Sequence, residues 1–517
     1  MPRSLLWLML MAVSGVLLFP SATPGQQAQP SSDRSIPAQL PLSGTAQNGS
    51  VTTEQATAPG VSGLSVNTLE SSIQIQGPFQ GSTPTGLATK DPIPLEMGDA
   101  IRRGLSYNLG VIGASQTEHD ARALRRAALA ELLPDVNGAV TAAVEKTSLA
   151  TFGFQSARGI PGFEFARVLG PFNFFEAGAV VSQRVLDFTA LRNYRTSKEL
   201  AQATAHNVRD SRDLVVLAVG GSYLQVVATA ARVESARAQV DTARAIYEQA
   251  LRQHTAGVNA RIDVSRSQVE LQTQRLRLIS LETDFATQKL ALGRIIGLPL
   301  GQEFTLATTM EYHPAAPMSL QDSLMLAFAN RADLQAAKAQ VRAAEEARKA
   351  ATSQNLPALA VNGSYLLAGV NPAQSNGVFS VFATVDFPIW RSGRIEADVL
   401  EADAALSQRR AEYEDTYGRV DTEVRNAFLR VTATSEQVAV AESNRSLARE
   451  TLRQARDRFG AGVADTVEVV QAQEAVASAE QDYIAGLYAH YLARLALARA
   501  TGDTQQGVAT LLSTGNP

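Results

Sequence analysis

The feature that constrains this chain most is a seven-residue pattern at residues 226–254 that recurs 205 positions later, at residues 431–459. Large residues stand at every seventh position, namely Val226, Val233, Val240, Tyr247 and His254, then Val431, Val438, Arg445, Leu452 and Phe459. Small residues follow three positions later, at Thr229, Ala236, Ala243 and Ala250, then Thr434, Ala441, Ala448 and Ala455. A heptad period predicts helices that supercoil around partner helices, and the small inner residues allow their backbones to approach closely.

Each heptad run ends at a turn, and a second heptad run follows the turn. The turn reads Ala-Gly-Val at 256–258 and again at 461–463, with glycine where a helix commonly ends in the left-handed conformation. The second run places large residues at Val264, Leu271, Leu278, Phe285 and Leu292, then Val469, Val476, Tyr483, His490 and Leu497. The pattern therefore predicts two copies of a long helix, a tip and a return helix.

The duplication extends upstream of the heptads. Leu133-Pro134 matches Leu356-Pro357 at an offset of 223 rather than 205, so the first copy contains 18 residues that the second lacks. The insertion falls between Val144 and Phe175, in a Gly- and Phe-rich stretch that predicts a long loop. We infer two tandem structural repeats, at 94–299 and 300–503, followed by a C-terminal tail at 504–517.

Four short runs upstream of the long helices alternate in polarity. They are Val136–Val144 and Phe174–Leu186 in the first copy, and Leu359–Ala368 and Val378–Phe387 in the second. In the last run, one face carries Phe379, Val381, Ala383, Val385 and Phe387, and the other carries Ser380, Thr384 and Asp386. About ten alternating residues are typical of a strand in a membrane barrel, and they also suit a half-buried hairpin of a soluble protein.

The lengths of the helices favour the membrane alternative. Residues 190–254 contain no proline, and a helix of that length spans roughly 98 Å, whereas the return helix 263–296 spans roughly 50 Å. A further helix is predicted at 320–354, and Gly220-Gly221 inside the long helix predicts a kink or a close helix contact. Four strands cannot close a barrel, and an open edge is not tolerated in lipid. Two chains would supply eight strands and three would supply twelve.

The N-terminal region has the pattern of an export signal followed by an unfolded segment. Arg3 precedes an apolar run from Leu5 to Phe19, which predicts a signal peptide at 1–25 and leaves an uncleaved anchor helix as the alternative. Residues 26–93 are rich in Pro, Ser, Thr and Gly and poor in large apolar residues, so we expect that segment to be disordered.

Composition argues against several other functions. The net charge of −4 gives no reason to expect nucleic acid as a partner. The absence of cysteine excludes disulfides, thiolate metal sites and a lipidated N-terminal cysteine. The five histidines show no metal-ligand spacing and no catalytic motif is present, so we predict no metal, no cofactor and no enzyme activity.

These features together resemble the TolC-type outer-membrane efflux protein family over about residues 95–503. The resemblance rests on the signal peptide, the two strand hairpins with long helices, and tips reading Ala-Gly-Val with Asp263-Val264 or Glu468-Val469 following. It implies a mainly α fold with a membrane β-barrel portion, in which a homotrimer shares a twelve-stranded barrel and a periplasmic α-barrel. The expected location is the outer membrane of a Gram-negative-type bacterium, in contact with its lipid.

The resemblance also implies a function and partners. We expect a passive export channel of a tripartite efflux or secretion system that works with a periplasmic adaptor (membrane fusion) protein and an inner-membrane pump. Adaptor docking is expected at the tips, on Gly257, Val258, Gly462 and Val463. The alternative is a soluble periplasmic coiled-coil scaffold or adaptor whose hairpins never enter a membrane.

Three acidic residues near the tips have two interpretations. Asp263, Asp465 and Glu468 would restrict the periplasmic entrance if three chains bring them together as a ring of carboxylates. They would equally favour helix N-termini through the helix dipole.

Overall fold

A computed structural model describes residues 49–58, 68–148, 168–258, 260–307, 310–314, 318–461 and 463–504. The predicted signal peptide and all but the first residue of the predicted tail lie outside these ranges. The chain divides into two compact units. The sheet unit comprises the described parts of 125–195 and 346–402, and the helical unit comprises the other described residues. Each unit draws on both repeats.

The bounds of the elements follow the sequence pattern closely. The strands are β1 (Val51–Ala58), β2 (Thr68–Ile75), β3 (Ile93–Leu95), β4 (Asp135–Ser148), β5 (Val168–Leu186), β6 (Phe304–Leu306), β7 (Ala358–Gly369) and β8 (Ser375–Asp386). The helices are α1 (Met97–Tyr107), α2 (Leu109–Ala130), α3 (Phe188–Thr255), α4 (Arg261–Ile295), α5 (Leu320–Asn330), α6 (Ala332–Ser353), α7 (Arg394–Gly460) and α8 (Thr466–Ala500). The predicted long helices and return helices are confirmed.

The sheet unit is built on one four-stranded sheet of order β4-β5-β7-β8, with antiparallel neighbours throughout. All four predicted strands are present. The predicted loop between Val144 and Phe175 is wrong at its flanks, because β4 continues and its last residue, Ser148, pairs with Val168 at the start of β5. Residues 149–167 lie outside the described ranges.

The prediction that residues 26–93 are disordered is wrong for the described part of that segment. β1 and β2 form an antiparallel hairpin in which Val51 pairs with Ile75, and β2 packs on α8. Ile73 packs so closely on α3 that a Cβ on Gly221 would clash with it. The proline and serine content concealed these few apolar side chains, which suffice because the helices offer an apolar surface to cover.

The heptad positions of the long helices pack on the return helices in the helical unit. The small positions Ala236, Ala243 and Ala250 are fully buried. Val240 and Ala243 of α3 pack on Leu271 of α4, as the seam predicts. Nearer the tips, side chains of α3, α7 and α8 form a further apolar cluster. The predicted packing of heptad positions against one another is therefore confirmed within the chain.

The middle of α3 is buried although it is apolar enough to cross a bilayer. Of its most apolar 18-residue window, 78% is buried inside the protein, as in a core helix. The helix continues through the glycine pair, where a Cβ on Gly220 would lie 2.8 Å from Leu495 Cδ2. Gly220-Gly221 therefore marks close packing.

The two repeats break a helix at the same position, 223 residues apart. Asn108 separates α1 from α2, and its buried side chain accepts from the Gly110 N–H at 2.9 Å and donates to the Phe79 carbonyl at 2.9 Å. Arg331 separates α5 from α6, so the prediction of one continuous helix at 320–354 is wrong. The side chain of Arg331 is buried, and it donates to Asp333 at 2.7 Å and to Glu423 at 2.6 Å.

Candidate functional site: sheet faces and helical tips

One face of the sheet carries exposed apolar side chains on all four of its strands, with Val181 on β5. On β8 these are Phe379, Val381 and Val385, as the alternation predicts. The register places Tyr365 opposite Phe379 on β7. The alternate residues of β4 are likewise exposed, namely Val136, Val140 and Val144. A large exposed apolar surface on a folded protein indicates a partner or a membrane.

The opposite face of the sheet is mainly polar. Ser380 of β8 exchanges a 2.9 Å hydroxyl hydrogen bond with Ser364 of β7. Asp135 of β4 pairs in register with Ser182 of β5, and Asn362 of β7 belongs to the same row. Exposed apolar Phe382 and Val378 of β8 and Phe172 of β5 are exceptions on this face. The two faces therefore differ as the lipid and lumen faces of a barrel wall differ.

The first tip is a hydrogen-bonded glycine turn that presents a valine to solvent. Gly257 has a φ of +76°, and its N–H donates to the His254 carbonyl at 2.9 Å. The Val258 N–H donates to the Gln253 carbonyl at 2.9 Å, which completes a Schellman motif. Val258 is 68% exposed.

The second tip shares the hydrogen bond that defines the first. The Val463 N–H donates to the Arg458 carbonyl at 2.9 Å, and the Val463 side chain is 72% exposed. Gly462 lies outside the described residues, so its left-handed conformation stays a prediction. Both tips thus end in an exposed valine on a closed turn.

Each predicted entrance residue has a local partner. Asp465 is the N-cap of α8, because its carboxylate accepts from the Glu468 N–H at 3.1 Å. Asp263 lies 3.9 Å from Arg266, and Glu468 lies 3.4 Å from Arg458. Sequence reasoning missed both arginines. The pairing of Arg458 with Glu468 connects α7 to α8 across the tip, and heptad spacing does not reveal it.

The return helix α4 has a second heptad stripe, which sequence reasoning also missed. Ile262, Val269, Leu276 and Leu290 are exposed and lie at multiples of seven from one another. Their positions fall on the side of α4 opposite to the seam residues such as Leu271. The spacing was visible in the sequence and indicates a second packing surface.

A polar cluster joins α4 to α8 within the chain. The buried Gln274 side chain donates to Glu270 at 2.8 Å and to Glu474 at 3.1 Å, and Arg277 lies 3.9 Å from Glu474. Burial raises the pKa of the Glu270 carboxyl, and the neighbouring Glu474 carboxylate adds to the rise. These residues fix which side of α8 meets α4.

The buried histidine of α8 has a packing role. His490 lies 3.4 Å from the Thr434 hydroxyl and 3.3 Å from the His313 carbonyl, and burial lowers the pKa of its imidazole. No cluster of three or more His, Asp or Glu side chains in the described ranges could hold a metal ion.

Comparisons with known proteins agree with this architecture. The family model for outer membrane efflux proteins matches residues 109–298 and 324–503. The pyoverdine export outer membrane protein OpmQ of Pseudomonas aeruginosa is 26% identical over 429 residues, which cover 80% of this chain and 86% of OpmQ. The structure of the outer-membrane channel OprN is 18% identical and superposes with a TM-score of 0.68, covering 79% of this chain and 90% of OprN. VceC of Vibrio cholerae is 17% identical with a TM-score of 0.66, covering 78% and 96%.

The chain belongs to the outer membrane efflux protein family, as the sequence predicted. Its family and fold are those of channel proteins rather than enzymes. The protein is an outer-membrane export channel of a tripartite efflux or secretion system, with a periplasmic helical portion.

Proposed function

We propose that three copies of this chain close one passive conduit, with a twelve-stranded barrel in the outer membrane and a periplasmic α-barrel of their helices. The observation that carries this proposal is the four-stranded sheet, which combines an exposed apolar face with two open edges.

The edges call for further copies of the chain. Among the described strands, β4 pairs only with β5 and β8 pairs only with β7. Unpaired backbone groups at such edges cost several kcal/mol each in lipid, so a membrane sheet must close on itself. Side chains fill the interior of a barrel of eight strands. Twelve strands from three copies are the smallest closed set from this chain that leaves a conduit.

Equivalent positions of the two return helices, 205 residues apart, give an independent argument for association of several copies. Glu474 of α8 contacts α4 inside the chain, and Val269 stands 205 positions earlier, on the equivalent side of α4. Val269 is exposed. If the contact between return helices is repeated from one copy of the chain to the next, the side of α4 that carries Val269 packs against α8 of the neighbouring copy. A head-to-tail contact of this kind generates a ring when its rotation closes.

The tips are the proposed docking surface for a periplasmic adaptor protein that joins the channel to an inner-membrane pump. Val258 and Val463 are exposed apolar side chains, and the hydrogen-bonded turns beneath them limit the entropy lost on binding. Gly257 and Gly462 belong to the same surface. We propose that Asp263, Asp465 and Glu468 lie at the entrance, with a net field that Arg266 and Arg458 reduce.

The soluble scaffold considered as an alternative fits these observations less well. It would leave the face with Val140, Val381 and Phe379 exposed to water. Membership of an outer-membrane family also argues against it.

Native mass spectrometry of the full chain, extracted from outer membranes in detergent, tests the proposal. The expected mass is that of three mature chains. A complex of one or two chains would contradict the shared barrel.

A further inference from the structure

The two repeats meet in the sheet at the contact between β5 and β7. β4 and β5 belong to the first repeat and β7 and β8 to the second, so this contact joins one hairpin to the other. Among the described strands it leaves β4 unpaired at one edge and β8 unpaired at the other. A contact of the same kind between two copies of the chain would join a β8 edge to a β4 edge, in a register that the repeats determine.

The hairpins show which strand residues are equivalent in the two repeats. Asp135 begins β4 and Ala358 begins β7, each directly after a Leu-Pro pair, and the two stand 223 positions apart. Asp135 pairs with Ser182 of β5, and Ala358 pairs with Asp386 of β8. Ser182 therefore corresponds to Asp386, which stands 204 positions later. Each residue of β8 thus has an equivalent in β5, and each residue of β4 has one in β7.

These equivalences translate the β5–β7 ladder into a ladder between β8 and β4. Val181 pairs with Gly363 inside the chain, in an antiparallel register. The residue of β8 equivalent to Val181 is Val385, and the residue of β4 equivalent to Gly363 is Val140. Val385 of one copy would therefore pair with Val140 of the next copy.

The translated register matches the apolar faces of the two edges. Continued by about four residues along the strands, the ladder brings Val381 of β8 opposite Val144 of β4. These two valines, like Val385 and Val140, are exposed on the apolar face. A register shifted by one residue would place the apolar face of one strand beside the polar face of the other. Exposure played no part in deriving the register, so the agreement of the faces is an independent argument for it.

The polar face of the same ladder is matched as well. Thr384 of β8 falls opposite Thr141 of β4, and Ser380 falls opposite Glu145. Hydroxyl groups that face each other across two strands can exchange hydrogen bonds, and a serine hydroxyl can donate to a carboxylate. Both faces of the wall would therefore continue across the contact.

We propose that β8 of each copy pairs antiparallel with β4 of the next copy in this register. The partner that fits each edge is therefore a second copy of this chain, and the contact runs head to tail, as a closed ring requires. The proposal rests on the proposed shared barrel. It goes beyond that barrel because it assigns the residues that lie opposite one another where two copies meet.

Disulfide formation between introduced cysteines tests the register, since the chain itself has no cysteine. Opposed residues of an antiparallel ladder have Cα atoms about 4.5–5.5 Å apart, which a disulfide can bridge. In a single chain β4 and β8 lie roughly 14 Å apart, at about 4.8 Å per strand spacing, so a disulfide between them must join two copies. The variants are Val385→Cys with Val140→Cys, and Val381→Cys with Val144→Cys.

Outer membranes that contain each variant are oxidised with copper phenanthroline and analysed by denaturing gel electrophoresis without reductant. Each chain has one cysteine at either edge of its sheet, so disulfides at every contact close a covalent ring of copies. We expect the band to shift from the mass of one chain to that of three linked chains, and to return to the mass of one chain when reductant is added.

Exchanging the partners gives matched controls from the same positions. These controls are Val385→Cys with Val144→Cys, and Val381→Cys with Val140→Cys. Their side chains stay on the same face of the sheet, but the two cysteines are displaced by roughly 13 Å along the strands, beyond the reach of a disulfide. We expect both controls to migrate as single chains after oxidation.

Linkage in the exchanged pairs, equal linkage in all the pairs, or no linkage in any of them would overturn the register. Native mass spectrometry of the same variants before oxidation distinguishes such a result from failure of the shared barrel. A complex of three chains without the predicted linkage would retain the barrel and reject the register. Linkage confined to the predicted pairs, in a complex of two chains, would support the register and reject the twelve-stranded barrel.

Discussion

The two return helices, α4 and α8, have the same length and the same place in their repeats, but different surroundings. Of the 35 residues of α8, 17 are buried, against 5 of the 35 residues of α4. Leu495 of α8 is completely buried, whereas Leu290, which stands 205 positions earlier, is 75% exposed. The two return helices therefore share their length and heptad positions, but only α8 is largely covered within the chain.

The difference arises from what covers α8 inside the chain. The segment 310–314, between β6 and α5, lies on it, with Tyr491 donating to the Glu311 carbonyl at 2.5 Å and Arg494 to the His313 carbonyl at 3.1 Å. The N-terminal hairpin packs on it as well. The open side of α4 carries Val269 and Leu276 where α8 has Glu474 and Gln481. We infer that the open side of the first repeat is the side on which another copy packs.

The largest expected effect is on the stability of the folded chain, and it distinguishes an alanine substitution at Leu495 from one at Leu290. Leu495→Ala empties a buried site beside Gly220, and we expect it to lower the free energy of unfolding by roughly 2–5 kcal/mol. Leu290→Ala is expected to leave the helical signal of the chain intact and to lower the temperature at which copies dissociate. Circular dichroism and gel electrophoresis of heated samples report the two quantities. Equal losses of helical stability would remove the distinction between the helices.

A second test gives α4 the polarity of α8. Val269→Glu introduces the residue that α8 has at the equivalent position, Glu474. We expect the folded chain to persist and the trimer to lose about 1.5–3 kcal/mol per interface, the burial energy of one such side chain. Native mass spectrometry measures the fraction of trimer. Leu87→Glu changes an exposed leucine outside the stripe, and we expect it to leave the trimer intact.

A third test uses the carboxyl group of Asp213, which has no counterpart in the second repeat. Burial raises the pKa of Asp213 in α3 from 3.8 to about 6, with Asp210 nearby and with Thr504 and Arg499 opposing the rise. Gly418 stands at the equivalent position of α7. Because the pKa is raised in the folded state, the stabilisation from Asp213 is complete below about pH 4 and is lost as the pH rises through about 6.

Asp213→Asn should remove this pH dependence. We expect the variant to exceed the wild type in stability by about 1–2 kcal/mol at pH 7.5, a value below the full conversion of the shift because partial solvent access weakens it. Denaturant unfolding between pH 4.5 and 7.5 measures the difference. Asp415→Asn, at an exposed position of α7, serves as the control and should keep the wild-type profile. Parallel profiles for Asp213→Asn and the wild type would show that this carboxyl does not titrate as described.

The smallest effect is expected at the tips, where the two repeats are most alike. Asp263→Ala combined with Glu468→Ala should lower cation selectivity only slightly, because Arg266 and Arg458 lie within 4 Å of these carboxylates. Removing the two arginines instead should raise cation selectivity. Reversal potentials of single channels measure both. Identical reversal potentials in the wild type, the variant without the two acids and the variant without the two arginines would contradict a role in selectivity. Asp263 and Glu468 would then only stabilise the starts of their helices.

Local periodicity predicted the helices, tips and strands, because side chains at fixed spacing determine these elements. It failed where the local structure depends on contacts with residues far away in the sequence. Ile73 becomes part of a strand that packs on α3, and Arg331 breaks a helix because Asp333 and Glu423 bind its side chain. The pairing of Arg458 with Glu468 likewise depends on the geometry of the tip.

The most direct measurement of the central claim compares two neighbouring residues of β8. Val381 lies on the exposed apolar face and Ser380 on the polar face, where it bonds to Ser364. Val381→Arg should cost roughly 2–4 kcal/mol if that face meets lipid near the midplane, whereas Ser380→Arg should be tolerated in the lumen. Immunoblots of outer-membrane fractions measure the yield of each variant. We predict a marked loss for Val381→Arg alone, and equal yields of the two variants would contradict a membrane barrel.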